Sequence, residues 1–185
     1  IILNRAAFDQ GFQAVVVLPP YYFRTASEDG LFAWFREVIQ QSVPTDGALL
    51  GYHIPGVSGV PLSLELLARL KDEFPRRFAG LKDSSGDIEH AIALGKNFGN
   101  DLSVFSGNDS LLSLAMENQA AGCITAMANL HSPSLRTVWD AIQRGDRAEE
   151  TQNQLSAWRE VLKDYSPYAP SLKALLAQRH DLPLW

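Results

Sequence analysis

The apolar positions change period along the chain, and the changes mark out alternating strands and helices. Phe12-Gln-Ala-Val-Val-Val-Leu-Pro19 is a nearly continuous β-branched run, the form taken by a strand buried on both faces of a parallel sheet. Pro19-Pro20 ends it. After Tyr21-Tyr22-Phe23 the spacing turns helical at Leu31, Phe32, Trp34, Phe35, Val38 and Ile39, with Thr25-Ala-Ser-Glu-Asp29 as the cap. The next strand is 48–54, closed by Pro55-Gly56, and Ser63 caps a helix carrying Leu66, Leu67, Leu70 and Phe74. A strand at 78–82, a helix at 87–98, a strand at 102–105, a helix at 111–117 and a short strand at 121–125 continue the alternation. Beyond Ser132-Pro133, a cap with proline in the first turn, only helical spacing remains, over about 134–144, 146–164 and from Pro170 onward.

Strand-loop-helix units at this spacing predict a parallel α/β fold, either an open doubly wound sheet or a barrel. The first segment carries apolar Ile1, Ile2, Leu3, Ala6, Ala7 and Phe8, with Gly11 where a C-cap belongs. It reads as the last turns of a helix already under way, so the expectation is a chain that starts inside a larger domain. No linker or low-complexity segment interrupts the pattern, and 185 residues suffice for one domain with a substantial core.

Charge narrows the partners. The net charge is -5, and the basic residues are scattered rather than striped, which argues against nucleic acid or an anionic membrane. No apolar segment approaches the ~20 residues of a membrane span. The lone Cys123 rules out an internal disulfide framework and fits a reducing, cytoplasmic compartment.

The candidate chemistry lies at the carboxyl ends of the strands, where parallel α/β folds build their sites. Those positions hold Tyr21 and Tyr22, then Tyr52 and His53, then Lys82, then Gly107-Asn-Asp109, then 125–129. A lysine facing a dry barrel mouth sheds ammonium hydration and can attack a ketone to form a Schiff base. A phenol held near it can donate and accept the protons of that chemistry. The bland alternatives are a lysine that snorkels to water and tyrosines that merely hydrogen-bond. Metal chemistry has little support: His53, His90, His131 and His180 lie far apart, without HxxxH or CxxC spacing. His53 follows Tyr52 directly, so in a strand it points to the opposite face and reads as structural. No GxSxG elbow, GxGxxG or GxxxxGK[ST] is present.

Taken in order, Pro20-Tyr21-Tyr22, Gly51-Tyr-His-Ile-Pro-Gly-Val-Ser-Gly59, Gly80-Leu-Lys-Asp-Ser-Ser-Gly-Asp87, Phe105-Ser-Gly-Asn-Asp109 and Gly122-Cys-Ile-Thr125 resemble the dihydrodipicolinate synthase / N-acetylneuraminate lyase family. Pro170-Ser-Leu-Lys-Ala174 looks like the late Pro-x-x-Lys helix start of that family. The resemblance implies a (β/α)8 TIM barrel with a C-terminal helical extension. This chain would supply about five βα units over 1–130 and the helical region over 131–185. It implies Lys82 as the Schiff-base lysine, Tyr52 as the proton relay, and Tyr22 as a tyrosine completing that relay across a subunit interface. Gly107, Ile124 through its carbonyl, Val57, Ser84 and Asp109 would be substrate-binding. The implied substrate is a small 2-oxo acid, with no metal, no cofactor beyond the covalent lysine adduct, and a homo-oligomer, the family's tetramer.

The departures from the family pattern are informative. The synthase branch carries an arginine two residues after the proline of its Tyr-x-x-Pro motif, where this chain has Val57, which has no fork of donors for a second carboxylate. Ile-Pro-Gly-Val-Ser-Gly looks more like the sialic acid lyases and 2-keto-3-deoxy sugar acid aldolases. Ser110 and Ala126 replace polar contacts of the sialic acid branch and point to a shorter or less hydroxylated substrate. The expectation is a pyruvate-releasing lyase or aldolase. The alternatives are a dihydrodipicolinate synthase-type enzyme, a keto-deoxy sugar acid dehydratase, and a non-catalytic sugar-acid binding barrel. A complete barrel of this kind runs to about 250 residues, so five strands alone are expected to expose two edges and to aggregate.

Overall fold

The computed structural model describes residues 1–182; the last residues of the expected helical region, 183–185, lie outside them. Five strands form one parallel sheet: β1 (Ala14–Val17), β2 (Ala48–His53), β3 (Phe78–Asp83), β4 (Ser103–Ser106) and β5 (Gly122–Cys123). The strand order is β1-β2-β3-β4-β5, with every neighbour parallel. A doubly wound sheet reverses its order at a switch point, and this one does not. Successive right-handed crossovers in a single direction place all the connecting helices on one face.

Local chemistry explains the helices. Ahead of the sheet lies α1 (Ile2–Asp9); between strands run α2 (Glu28–Ser42), α3 (Pro55–Ser58), α4 (Leu64–Glu73), α5 (Ile88–Phe98) and α6 (Leu112–Glu117). Ser27, Ser63 and Asp87 occupy N-caps, and their side chains accept from Gly30, Leu66 and both Glu89 and His90 backbone N–H groups. Each satisfies a donor that a helix start otherwise leaves orphaned. The helical extension is α7 (Ala128–Gln143), α8 (Glu149–Lys163) and α9 (Tyr168–His180). α7 begins earlier than its spacing suggests, because a helical turn precedes a kink at His131 (φ -128, ψ 31). Ser132-Pro133 restarts the helix there, since proline needs no N–H partner in a first turn.

The core lies between the helix-covered face of the sheet and the helices. Phe35, Ile39, Leu49, Leu62, Leu66, Leu67, Leu70, Phe78, Leu81 and Leu94 are fully buried there. A second cluster of Leu112, Met116, Leu135, Val138 and Leu155 fastens α6 to α7 and α8. Among the described residues, the other face of the sheet carries no layer of helices. This corrects the expectation for β1: Val16 is 43% exposed, and only Val15 and Val17 pack on the core. An all-apolar run marks a strand that can be covered on both sides, but β1 is an edge strand with one face covered here. Of the aromatics on the extension, Trp139 Nε1 donates to the Ala121 carbonyl at 2.9 Å and Trp158 stacks on His131, whereas Tyr165 is exposed.

Candidate active site

Register builds the site. β2 and β3 pair with Tyr52 opposite Lys82, and β3 and β4 with Lys82 opposite Phe105. Paired residues of parallel strands share a face, so the phenol and the amine stand side by side at the carboxyl end of the sheet. Lys82 Nζ lies 4.0 Å from the centroid of the Tyr52 ring, and both residues are half-buried on the face that lacks helices. The register between β2 and β3 slips by one residue at Leu49/Leu50, leaving Ala79 without a partner below this pair. Gly80 permits the close approach of β3 to β4: a Cβ there would meet the Ser103 carbonyl oxygen at 2.2 Å.

The loops beyond the strands are tied to one another by backbone bonds. Ser84 N–H donates to the His53 carbonyl at 2.8 Å, Gly107 N–H to the Asp83 carbonyl at 2.6 Å, and Ile124 N–H to the Ser106 carbonyl at 2.9 Å. Ser84 Oγ lies against Gly107, where a Cβ would come within 1.9 Å of it. Lys82, Tyr52, Ser84, Gly107 and Ile124 therefore share one end of the sheet.

The remaining expected residues are placed differently. Tyr22 is 84% exposed, set edge-on to Phe23, and Val57 is 70% exposed on α3. Neither touches Lys82 in a contact seen among the described residues. Asp109 lies in the interior. It is fully buried, and its carboxylate accepts from Arg159 Nη1 and from Thr125 Oγ1, both at 2.6 Å. Oδ1 thereby ties the loop beyond β5 and helix α8 to the loop of Asp109, while Oδ2 is buried without a hydrogen-bond partner among the described residues. Arg159, on α8 some 50 residues away in sequence, was hidden among the ordinary charges of an amphipathic helix.

On the opposite side of the strand pair, sequence distance concealed a second cluster. His53 pairs with Asp83 across the sheet and stacks on His90 of α5, with ring centroids 4.5 Å apart. The three side chains bring donor atoms within 4.8 Å of one another. This is the arrangement of a metal site, but its chemistry does not fit one. His53 Nδ1 accepts the Leu62 backbone N–H at 3.0 Å, so Nε2 carries the proton and has no lone pair for a metal. Burial, and then the charge of His90, lower the His53 pKa from 6.5 to about 4. His53 is thus held neutral. Cys123 is likewise inert: burial, and then the charge of Asp109, push its thiol up to about 11.

Comparison with known proteins bears on the fold of the chain. Residues 1–181 match the model of the Dihydrodipicolinate synthetase family. An uncharacterized DapA-like lyase of Chloroflexus aurantiacus is 38% identical over 183 residues, which cover 99% of this chain and 60% of that protein. A 4-hydroxy-tetrahydrodipicolinate synthase of Thermus thermophilus is 40% identical over 127 residues, covering 69% of this chain and 41% of that one. The crystal structure of dihydrodipicolinate synthase from Agrobacterium tumefaciens superposes with a TM-score of 0.81 at 30% identity, over 100% of this chain and 61% of that chain. The chain thus spans about three fifths of the length of the relatives that it matches throughout, and its five strands are part of a TIM barrel.

Proposed function

The chain belongs to the dihydrodipicolinate synthetase family, and from that premise we propose that it carries the catalytic half of a lysine Schiff-base lyase acting on a 2-oxo acid. The observation that carries this reading is the placement of Lys82 Nζ 4.0 Å over the Tyr52 ring at neighbouring strand ends.

In the proposed reaction the Lys82 amine adds to the substrate ketone, and the carbinolamine hydroxyl leaves as water with the proton of the Tyr52 phenol, giving an iminium and a phenolate. The Tyr52 phenolate then removes the proton from the hydroxyl at C4. As the C3–C4 bond breaks, its electron pair moves into the iminium, leaving an enamine and releasing an aldehyde. Protonation of the enamine at C3 and hydrolysis return Lys82 and free pyruvate. The protein needs no cofactor in this scheme, because the iminium is itself the electron sink.

The substrate we propose is a 2-keto-3-deoxy sugar acid. Relatives named as 4-hydroxy-tetrahydrodipicolinate synthases would suggest a second substrate with its own carboxylate. The site position where that branch has its arginine is Val57, uncharged and open to solvent, so the second carboxylate would lack its bidentate partner. Tyr22, whose phenol stands in solvent, fits a role completed by another subunit of a homotetramer in the cytoplasm.

Product analysis on a 2-keto-3-deoxy sugar acid tests the assignment. Pyruvate with an aldehyde is the expected result, whereas a dehydrated 2-oxo acid would make the enzyme a dehydratase, in which the iminium of the intact substrate loses a C3 proton and the resulting enamine expels the C4 hydroxyl as water. Unimpaired ligand binding by Lys82→Ala, with no covalent adduct in the parent, would instead identify a sugar-acid binding barrel.

A further inference from the structure

Asp109 is the most deeply buried charge in the described structure, and the groups around it connect parts of the chain that are distant in sequence. One oxygen, Oδ1, accepts from both Arg159 Nη1 of α8 and Thr125 Oγ1 beyond β5, each at 2.6 Å. The Asp109 carbonyl accepts from Gln152 Nε2 at 2.9 Å, and Gln152 Oε1 accepts from the N–H and hydroxyl of Ser113, also at 2.9 Å. Gln152 and Arg159 stand two turns apart on one face of α8, with the fully buried Leu155 between them. Asp109 lies two residues beyond Gly107, and Thr125 directly follows Ile124. The arginine of the helical extension therefore sets the spacing between the loop of Gly107 and the loop of Ile124.

Stability alone does not explain such a device. A buried ion pair can generally be replaced by apolar side chains of similar volume at no cost to stability. What two short donors converging on one buried carboxylate oxygen add is fixed geometry. We propose that Arg159 is a positioning residue for the 2-oxo acid subsite, acting through Asp109 and Thr125 on Gly107 and the Ile124 carbonyl. The inference rests on the Schiff-base reading above. It makes the extension part of the working site: α8 holds the two loops that line one side of the substrate while Lys82 and Tyr52 stay on the sheet.

The test is borohydride trapping of the full-length protein across a pyruvate series, comparing the parent with Arg159→Gln, Arg159→Lys and Thr125→Val. Thr125→Val keeps the ion pair and removes only one of its two ties, so it reports even where Arg159→Gln fails to fold. The expected result is a half-saturating pyruvate concentration raised about tenfold to a hundredfold in Arg159→Gln and Thr125→Val, with partial recovery in Arg159→Lys. The trapping rate at saturation stays within about twofold of the parent, because Lys82 and Tyr52 do not move. A purely structural arginine would lower the yield of folded protein without changing half-saturation. Parent-like half-saturation in all three variants, with the parent trapped, overturns the inference alone. A parent that pyruvate never modifies overturns the Schiff-base reading and this inference with it.

Discussion

Gly80→Ala puts one methyl group where the fold has no room for it. Gly80 of β3 pairs with Ser103 of β4, and the added Cβ would lie 2.2 Å from the Ser103 carbonyl oxygen and 3.1 Å from its carbon. Ordinary contact begins near 3.4 Å, so β3 and β4 must part by about 1.2 Å against a strand spacing of about 4.8 Å. The obstacle is backbone and cannot turn aside as a flexible side chain would. Overpacking costs about 1–3 kcal/mol, and an immovable carbonyl places this case near 3 kcal/mol, or a fall of about 6–12 °C in melting temperature for a domain of this size. Lys82 is two residues further along the displaced strand, and a 1 Å misplacement there costs about a hundredfold in rate. Calorimetry together with the rate of pyruvate-dependent trapping measures both effects. Gly56→Ala is the control, because nothing lies within 4 Å of its Cβ and its stability should stay within about 0.5 kcal/mol of the parent. A Gly80→Ala protein with parental melting temperature and trapping rate would refute the reasoning that β3 and β4 are locked at this glycine.

Tyr52→Phe keeps the ring beside Lys82 Nζ but loses the phenol, so turnover should fall about 10²- to 10⁴-fold while borohydride still traps the pyruvate adduct; equal turnover would remove Tyr52 from the proton path. His53 is held neutral, with its pKa lowered from 6.5 to about 4, so the unfolded chain binds the proton more readily between those values. Its contribution to stability is complete above pH 6.5 and is lost as the pH falls to about 4, on the order of 3 kcal/mol in all. Urea denaturation from pH 7 to 4 should show this slope, and His53→Gln should flatten it. The 185-residue chain by itself, with β1 and β5 as open edges, should aggregate, and a monodisperse, active solution by light scattering would contradict that.

The parts of the fold that were legible in the sequence are those that local chemistry decides. Ser27, Ser63 and Asp87 cap the helices whose starts they mark, and the strands around Tyr52 and Lys82 follow from short apolar runs closed by proline, glycine and serine. Their adjacency was legible too, since consecutive strands in a barrel are neighbours. The contributions of long-range contacts were not legible. His53 and His90 belong to different elements, and nothing in their spacing signals that α5 stacks one ring on the other. Asp109 sits in a glycine-bearing loop typical of a binding site, but its carboxylate turns inward because Arg159, on a helix far along the chain, supplies the compensating charge. Val16 looked like a core residue because its sequence describes what β1 can bury, while its exposure depends on which strands stand beside it.

The measurement that bears most directly on the central claim is intact mass of the full-length protein after borohydride reduction, with and without pyruvate, followed by peptide mapping. The account predicts a stable mass gain that requires pyruvate, maps to the peptide holding Lys82, and disappears in Lys82→Ala. No gain with pyruvate or with other 2-oxo acids, or a gain that persists in Lys82→Ala, would contradict it.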